Sequence, residues 1–241
     1  MVESGTAQAA LGERFANIRK RIKYALERSR RPEDGVTLIA ISKTHPAKIV
    51  QDLIALGATD LGENRVQEAE TKIPLVGRDK ARWHLVGHLQ ANKARRAVRL
   101  FDVIHSLDSL ELARRLDRLC IEEKTENLAV LIQVDLGLEQ TKSGVLQSNV
   151  KQLARELTKC ERLRLNGLMT LPPFFENTEE TRPFFRRLRE LRDDLANDNL
   201  FTNGHGDLSM GMTHDFEVAI EEGATMVRIG TAIFGERTGE Q

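Results

Sequence analysis

The chain has 241 residues, 40% of them apolar, and its 36 Lys+Arg balance 36 Asp+Glu for a formal net charge of 0. That balance argues against a protein whose main task is holding nucleic acid or an anionic membrane, since both reward a strong basic excess. No apolar run approaches the ~18 residues of a membrane span, residues 1–5 show no signal-peptide pattern, and the isolated Cys120 and Cys160 give neither a disulfide framework nor CxxC spacing. The expectation is a cytoplasmic protein with two buried thiols.

Over residues 7–29, Leu11, Phe15, Ile18, Ile22 and Leu26 recur at steps of three and four, which predicts one amphipathic helix, ended by Arg31-Pro32 and Gly35. Val36–Ser42 follows, short and apolar on both faces, as expected of a parallel strand covered by helices. Pro46 starts a helix through Ile49, Val50, Leu53, Ile54 and Leu56, and Gly57 ends it. The cycle then repeats, with strand candidates at Asp60–Gly62, Arg82–Val86, Asp102–His105, Leu128–Val134, Leu163–Met169, Asp207–Ser209 and Met226–Ile229. Helices fill most of the gaps between them. Asp108-Ser109-Leu110-Glu111 resembles a capping box before the helix of Leu112, Leu116 and Leu119, and Phe184, Leu188, Leu191 and Leu195 mark another helix.

Eight strands in this alternation, in a chain close to the ~250 residues typical of the fold, predict an α/β protein, a (β/α)8 TIM barrel. A doubly wound sheet is the rival, but the chain has no GxGxxG. An internal echo supports the barrel: Leu56-Gly57-Ala58-Thr59-Asp60 resembles Glu222-Gly223-Ala224-Thr225-Met226, each a helix end, a turn and a new strand. No linker to a second domain is visible. The expected organisation is an N-terminal helix over residues 1–35 packed on a barrel over residues 36–237.

Barrel chemistry lies at the C-terminal ends of the strands. Those positions hold Lys43 after the first strand, Glu63-Asn64-Arg65 after the second and His84 in the third. They also hold Asp135, Gly137 and Lys142 after the fifth, Met169-Thr170 after the sixth, Ser209-Met210-Gly211-Met212 after the seventh and Arg228–Thr231 after the eighth. An amine at a barrel mouth can attack a carbonyl and form a Schiff base; the plainer reading of Lys43 is a surface lysine at a strand end. Ser209-Met210-Gly211 and Gly230-Thr231 offer hydroxyls and glycine-exposed N–H groups suited to a phosphate; the plainer reading is two tight turns. Together they suggest a phosphorylated aldehyde, held covalently at Lys43 and electrostatically by a cradle facing it.

Ile41–Thr44, Gly62–Glu68, Trp83–Lys93, Gly167–Thr170, Leu208–Met212 and Val227–Gly235 resemble the motifs of the pyridoxal phosphate homeostasis protein family across nearly the whole chain. The resemblance implies an alanine-racemase-type barrel standing alone, with pyridoxal 5′-phosphate (PLP) bound to Lys43. It further implies that Ser209, Gly211, Gly230 and Thr231 hold the phosphate. Arg228 would approach the pyridine nitrogen, and Asn64, His84 and Met169 would line the ring. Met210 and Met212, which flank Gly211, are expected to pack the cofactor wall. A cation at the pyridine nitrogen makes the ring a poor electron sink. A two-base racemase also needs a second base, and the chain's single tyrosine, Tyr24, falls in the N-terminal helix.

The expected function is therefore PLP binding for vitamin B6 homeostasis with little or no turnover. A PLP-dependent amino-acid racemase and a lysine Schiff-base aldolase are the alternatives. Expected partners are PLP and, through it, apo PLP-enzymes or amino acids, with neither nucleic acid nor membrane, on a monomer. His84 and His88 bracket a strand end rather than share a helix face, so no metal site is expected. The arginine clusters at 95–96, 114–115, 162–164 and 186–189 read as solvated faces.

Overall fold

The computed structural model describes residues 2–137 and 143–235. In chain order the elements are α1 (Val2–Arg28), β1 (Thr37–Ile41), α2 (Ala47–Ala55), β2 (Asp60–Glu63), α3 (Val66–Val76), β3 (Arg82–Leu85), α4 (Ala94–Leu100), β4 (Val103–Leu107) and α5 (Leu110–Glu123). They continue with β5 (Leu128–Asp135), β6 (Val145–Leu146), α6 (Gln147–Leu157), β7 (Leu163–Met169), α7 (Arg182–Asn197), β8 (Asp207–Met212), α8 (Phe216–Glu221), β9 (Met226–Ile229) and α9 (Thr231–Phe234). The strands pair in parallel in the order β4-β3-β2-β1-β9-β8-β7-β5, and β4 pairs with β5 to close the ring. The two-residue β6 adds outside the ring, on β5. The result is the (β/α)8 barrel that the alternation of elements predicts.

Side-chain parity builds two cores from each strand. Outward residues such as Ala40, Leu61, Leu85, Ile104, Val130, Leu168, Leu208 and Val227 pack under the helices. Inward residues Ile39, Ile41, Val86, Val103, Ala129, Leu131, Met169 and Met226 fill the barrel itself. This double burial is why the strands read as continuous apolar runs.

The helix expected over 7–29 begins earlier, at Val2. Its Leu11, Phe15, Ile18, Ile22 and Leu26 are buried, and the helix packs on α8 and α9. Arg14 Nε donates to Ile233 O at 2.7 Å, and Arg21 pairs with Glu217 at 2.6 Å. The apolar stripe supplies most of the attachment, since exposed ion pairs contribute little. At α5, Ser109 accepts from Leu112 N–H at 3.2 Å, while Glu111 sits one position too early to complete a capping box. On α7 the buried stripe is Phe185, Leu188, Leu191 and Leu195; Phe184 lies half-buried against Phe175 instead. Cys120 is buried and Cys160 half-exposed, and both are free thiols; burial pushes the Cys120 thiol up to about 12.

Three register shifts interrupt the ladder, between β4 and β5, β5 and β7, and β8 and β9. The third shapes the candidate site. Ser209 pairs with Met226 and Met212 with Arg228, so β8 carries one residue more than β9 between those pairs, which is a β-bulge. The bulge contains Gly211 at φ +89°, a conformation glycine adopts without cost.

Candidate active site

Inward parity carries past the strand ends. On β1 the inward residues Ile39 and Ile41 lead to Lys43. On β2, Gly62 faces Ile41 and Ile39 and leads to Asn64; on β9, Met226 and Arg228 lead to Gly230. Lys43, Asn64, Arg228, Gly230 and Thr231 all line one cavity of about 460 Å³ at the C-terminal end of the barrel. That size suits a small-molecule ligand. Because the ring closes through β9 onto β1, Lys43 and Gly230-Thr231 occupy adjoining walls rather than facing ones.

Lys43 is presented by a pinned turn. His45 N–H donates to Ser42 O at 3.1 Å, which places Lys43 and Thr44 at the two central positions. Thr44 has φ +67°, uncommon for a residue with a Cβ. Buried charges secure the turn from below. Lys72 Nζ donates to Ser42 O and to Glu63 Oε1, each at 2.6 Å, and to Glu68 Oε1 at 2.8 Å. Ser42 Oγ also donates to Glu63 Oε1 at 2.6 Å, and Glu68 accepts from Thr44 N–H. Burial raises the Glu63 carboxyl above its usual range, with the Lys72 charge pulling the other way. From above, His45 stacks on Phe234 with ring centroids 4.7 Å apart. Lys43 itself is half-buried, and among the described residues no acceptor holds its Nζ.

Arg228 lies deeper on the same wall and is 4% exposed. It donates from Nη1 to Ser209 Oγ at 2.6 Å and from Nη2 to Thr170 O at 2.9 Å. Burial pushes the guanidinium down to about 10, against the pull of the Asp215 carboxylate, so it stays cationic at neutral pH. A buried cation with three N–H groups left over and no carboxylate in contact is suited to an acceptor on a ligand. Above it, the first N–H groups of α9 have no acceptor within their own helix, and the Thr231 side chain lines the cavity beside them.

The other expected site residues lie elsewhere. His84, Met169 and Ser209 point into the barrel below the cavity, each 0% exposed. Met210 points outward under the helices. Gly211 packs on α8, where an added Cβ would come within 2.6 Å of Ala219 Cβ and 2.9 Å of Phe216 Cα. The bulge causes this shift: it turns Gly211 away, so Met212, Thr213 and His214 reach the cavity. Thr213 and His214 carried no signal in the sequence, because strand alternation hides a bulge. His88 lines the cavity and lies 3.2 Å from Asp108; His214 Nε2 lies 3.1 Å from Phe175 O. Gln133 and Ser143 close a further wall, with Gln133 Nε2 donating to Ser143 O at 2.5 Å. Lys142 lies outside the described residues. Among the described residues no three His, Cys, Asp or Glu side chains group as metal ligands, and no helix is long and apolar enough to cross a membrane.

Beneath Arg228 the polar side chains form a continuous chain through the barrel. Ser209 Oγ lies 2.9 Å from His105 Nδ1, and His105 Nε2 lies 2.9 Å from His84 Nδ1. His84 Nε2 lies 2.9 Å from Asp60 Oδ1 at the N-terminal end of β2. Burial lowers both histidines below the usual imidazole range; for His105 the His84 and Arg228 charges add to it. Burial raises the Asp60 carboxyl, but hydrogen bonds from His84 and Thr59 outweigh it and hold the group below its usual range.

A closed parallel barrel with an open amine after β1 and a buried arginine on β9 belongs to a known structural class. Residues 14–238 match the family model described as alanine racemase, N-terminal domain. The chain is 43% identical over 225 residues to the pyridoxal phosphate homeostasis protein of Aquifex aeolicus, covering 93% of this chain and 97% of that one. It is 39% identical over 232 residues to the protein of the same name from Pseudomonas aeruginosa, covering 95% and 96%. The solved structure of PipY from Synechococcus elongatus with PLP bound superposes with a TM-score of 0.80 at 36% identity, covering 93% of this chain and 100% of that one. The chain belongs to the pyridoxal phosphate homeostasis protein family, whose barrel is that of the alanine racemase N-terminal domain.

Proposed function

We propose that this protein holds PLP in the cavity as a Schiff base to Lys43 and serves PLP homeostasis with little or no turnover of its own. The observation that carries the reading is the pairing, in one cavity, of the open Lys43 amine with the buried Arg228 cation. Lys43 would hold the cofactor by attack of Nζ on its aldehyde carbon, with loss of water. The pinned turn fixes the amine's direction and so lowers the entropy cost of that attack. Thr231 and the first N–H groups of α9 hold the phosphate, with Thr213 on the neighbouring loop adding a hydroxyl. Arg228 would donate to the ring nitrogen through an N–H group not used by Ser209 or Thr170.

When bound, the cofactor supplies an electron sink, and its strength depends on what touches the ring nitrogen. Arg228 weakens that sink, because a buried cation opposes a second positive charge beside it. Racemisation further requires an acid–base group on the face opposite Lys43. Tyr24 is 48% exposed on α1 and does not line the cavity. His88 and His214 do line it, each with one ring nitrogen held: His88 Nδ1 lies 3.2 Å from Asp108 and His214 Nε2 lies 3.1 Å from the Phe175 carbonyl. A cavity at the end of the barrel suits exchange of the cofactor with apo PLP-enzymes, the partners this reading implies.

Equilibrium dialysis with PLP and with unphosphorylated pyridoxal tests the reading. Wild type is expected to retain PLP and bind pyridoxal poorly, and Lys43→Ala to release PLP on dialysis. Thr231→Val should weaken PLP about tenfold, since one hydrogen bond to a charged group contributes roughly 1.5–3 kcal/mol. Equal retention by all three proteins contradicts the assignment. A chiral assay with alanine and serine gives the turnover. A kcat near the enzyme median of about 10 s⁻¹ would make the protein a racemase.

A further inference from the structure

The polar chain below the cavity is not explained by ligand contact, because Asp60, His84, His105 and Ser209 do not line the cavity. Nor is it a packing filler. The other inward residues of the barrel include Ile39, Val103, Ala129, Leu131 and Met226, and apolar side chains of similar volume could fill the interior in its place. It crosses the barrel from β2 through β3 and β4 to β8 and then β9, with four links of 2.9, 2.9, 2.9 and 2.6 Å.

The chemistry at the two ends fixes the direction of every link. Arginine has only donors, and an ionised carboxylate has only acceptors. Asp60 therefore accepts from His84 Nε2–H. In a neutral imidazole the other nitrogen then carries a lone pair, so His84 Nδ1 accepts from His105 Nε2–H. By the same rule His105 Nδ1 accepts from the Ser209 hydroxyl, whose oxygen accepts from Arg228 Nη1. With neutral rings this is the single arrangement in which each link holds one proton. The charged groups around the rings are Asp60 on β2, Arg82 on β3, Asp102 preceding β4 and Arg228 on β9. Burial and the cations favour neutral rings.

We infer that Asp60, His84, His105 and Ser209 form a one-directional hydrogen-bond relay that orients Arg228, so that its remaining N–H groups meet the ring nitrogen of the bound ligand. These four are positioning residues: they act through Arg228 and do not touch the ligand. The inference rests on the proposed cofactor reading for its last link only; the relay itself is a property of the ligand-free protein.

Two measurements test it. The first is nitrogen-15 NMR of the histidine rings in ligand-free protein. His84 and His105 should both be neutral with the proton on Nε2. Asp60→Ala should shift or broaden the His84 tautomer signal, and Asp60→Asn, which keeps an acceptor oxygen, should restore it. A proton on Nδ1 of either ring in wild type overturns the relay. The second is affinity for PLP against its carbon analogue, in which C–H replaces the ring nitrogen and the phosphate and aldehyde are kept. Ser209→Ala and Asp60→Ala should weaken PLP about tenfold and the analogue less than twofold. Equal weakening of both ligands would make Ser209 a phosphate or purely structural contact and overturn the inference, and so would no weakening of either. If Asp60→Ala does not fold, Ser209→Ala decides the affinity arm. If wild type binds neither ligand, the cofactor reading fails, and the ring tautomers still decide the relay.

Discussion

Lys43 depends on residues that never touch the cavity. Lys72 is 5% exposed and is the shared donor to Ser42 O, Glu63 and Glu68, the groups that hold the Lys43 turn. Removing one partner of a buried ion pair strands the other charge, which costs roughly 3–5 kcal/mol. Lys72→Met is expected to lose about that much in urea unfolding and to leave Lys43 partly unoccupied at a PLP concentration that saturates wild type. Wild-type stability and full occupancy in that variant would remove the network from the account. Lys72 left no signal in the sequence. It sits in a helix beside Glu68 and Glu70, where pattern alone predicts a solvated face, and only the fold brings it under β1.

At the scale of elements, the β8 bulge decides which side chains reach the site. Gly211→Ala would place a Cβ 2.6 Å from Ala219 Cβ in a backbone at φ +89°. The unfavourable backbone and the overpacking together cost roughly 2–5 kcal/mol. Thermal unfolding should show that loss, and phosphate-dependent retention of PLP should fall with it because Met212–His214 move; a neutral substitution would mean that the bulge has no part in shaping the site. The same element marks the limit of sequence reading. Position at the strand ends singled out Lys43, Asn64, Arg228 and Gly230, and the structure brings them to one cavity, since β1, β2 and β9 run regularly into their loops. On β8 one inserted residue breaks that rule, so Ser209 sits below the cavity and Met212–Thr213 occupy its wall. His105 and Asp60 could not be singled out either. An inward polar residue and an outward one look alike until the partners across the barrel are known.

For the molecule as a whole, the buried relay predicts how stability depends on pH. Both histidines have folded pKa values depressed below the ordinary 6.5, His105 well below it. Below about pH 6.5 the unfolded chain binds protons that the folded barrel refuses, so stability is full above that pH and falls as pH drops. Each histidine contributes a slope of up to about 1.4 kcal/mol per pH unit, until its own folded pKa is reached. Asp60, depressed in the folded state, extends the loss into the carboxylate range. Urea titrations from pH 8 to pH 5 should show the slope in wild type and about half of it in His105→Leu. A flat profile would mean that the two rings take up protons inside the barrel as readily as in the unfolded chain.

The proposed function turns on Lys43 carrying the cofactor. Borohydride reduction of the PLP-loaded protein, followed by digestion and peptide mass analysis, fixes the attachment point directly. The account predicts one pyridoxyl-phosphate adduct, on the peptide containing Lys43, absent from Lys43→Ala. An adduct on another lysine, such as Lys142, or an unchanged adduct in Lys43→Ala, would contradict it.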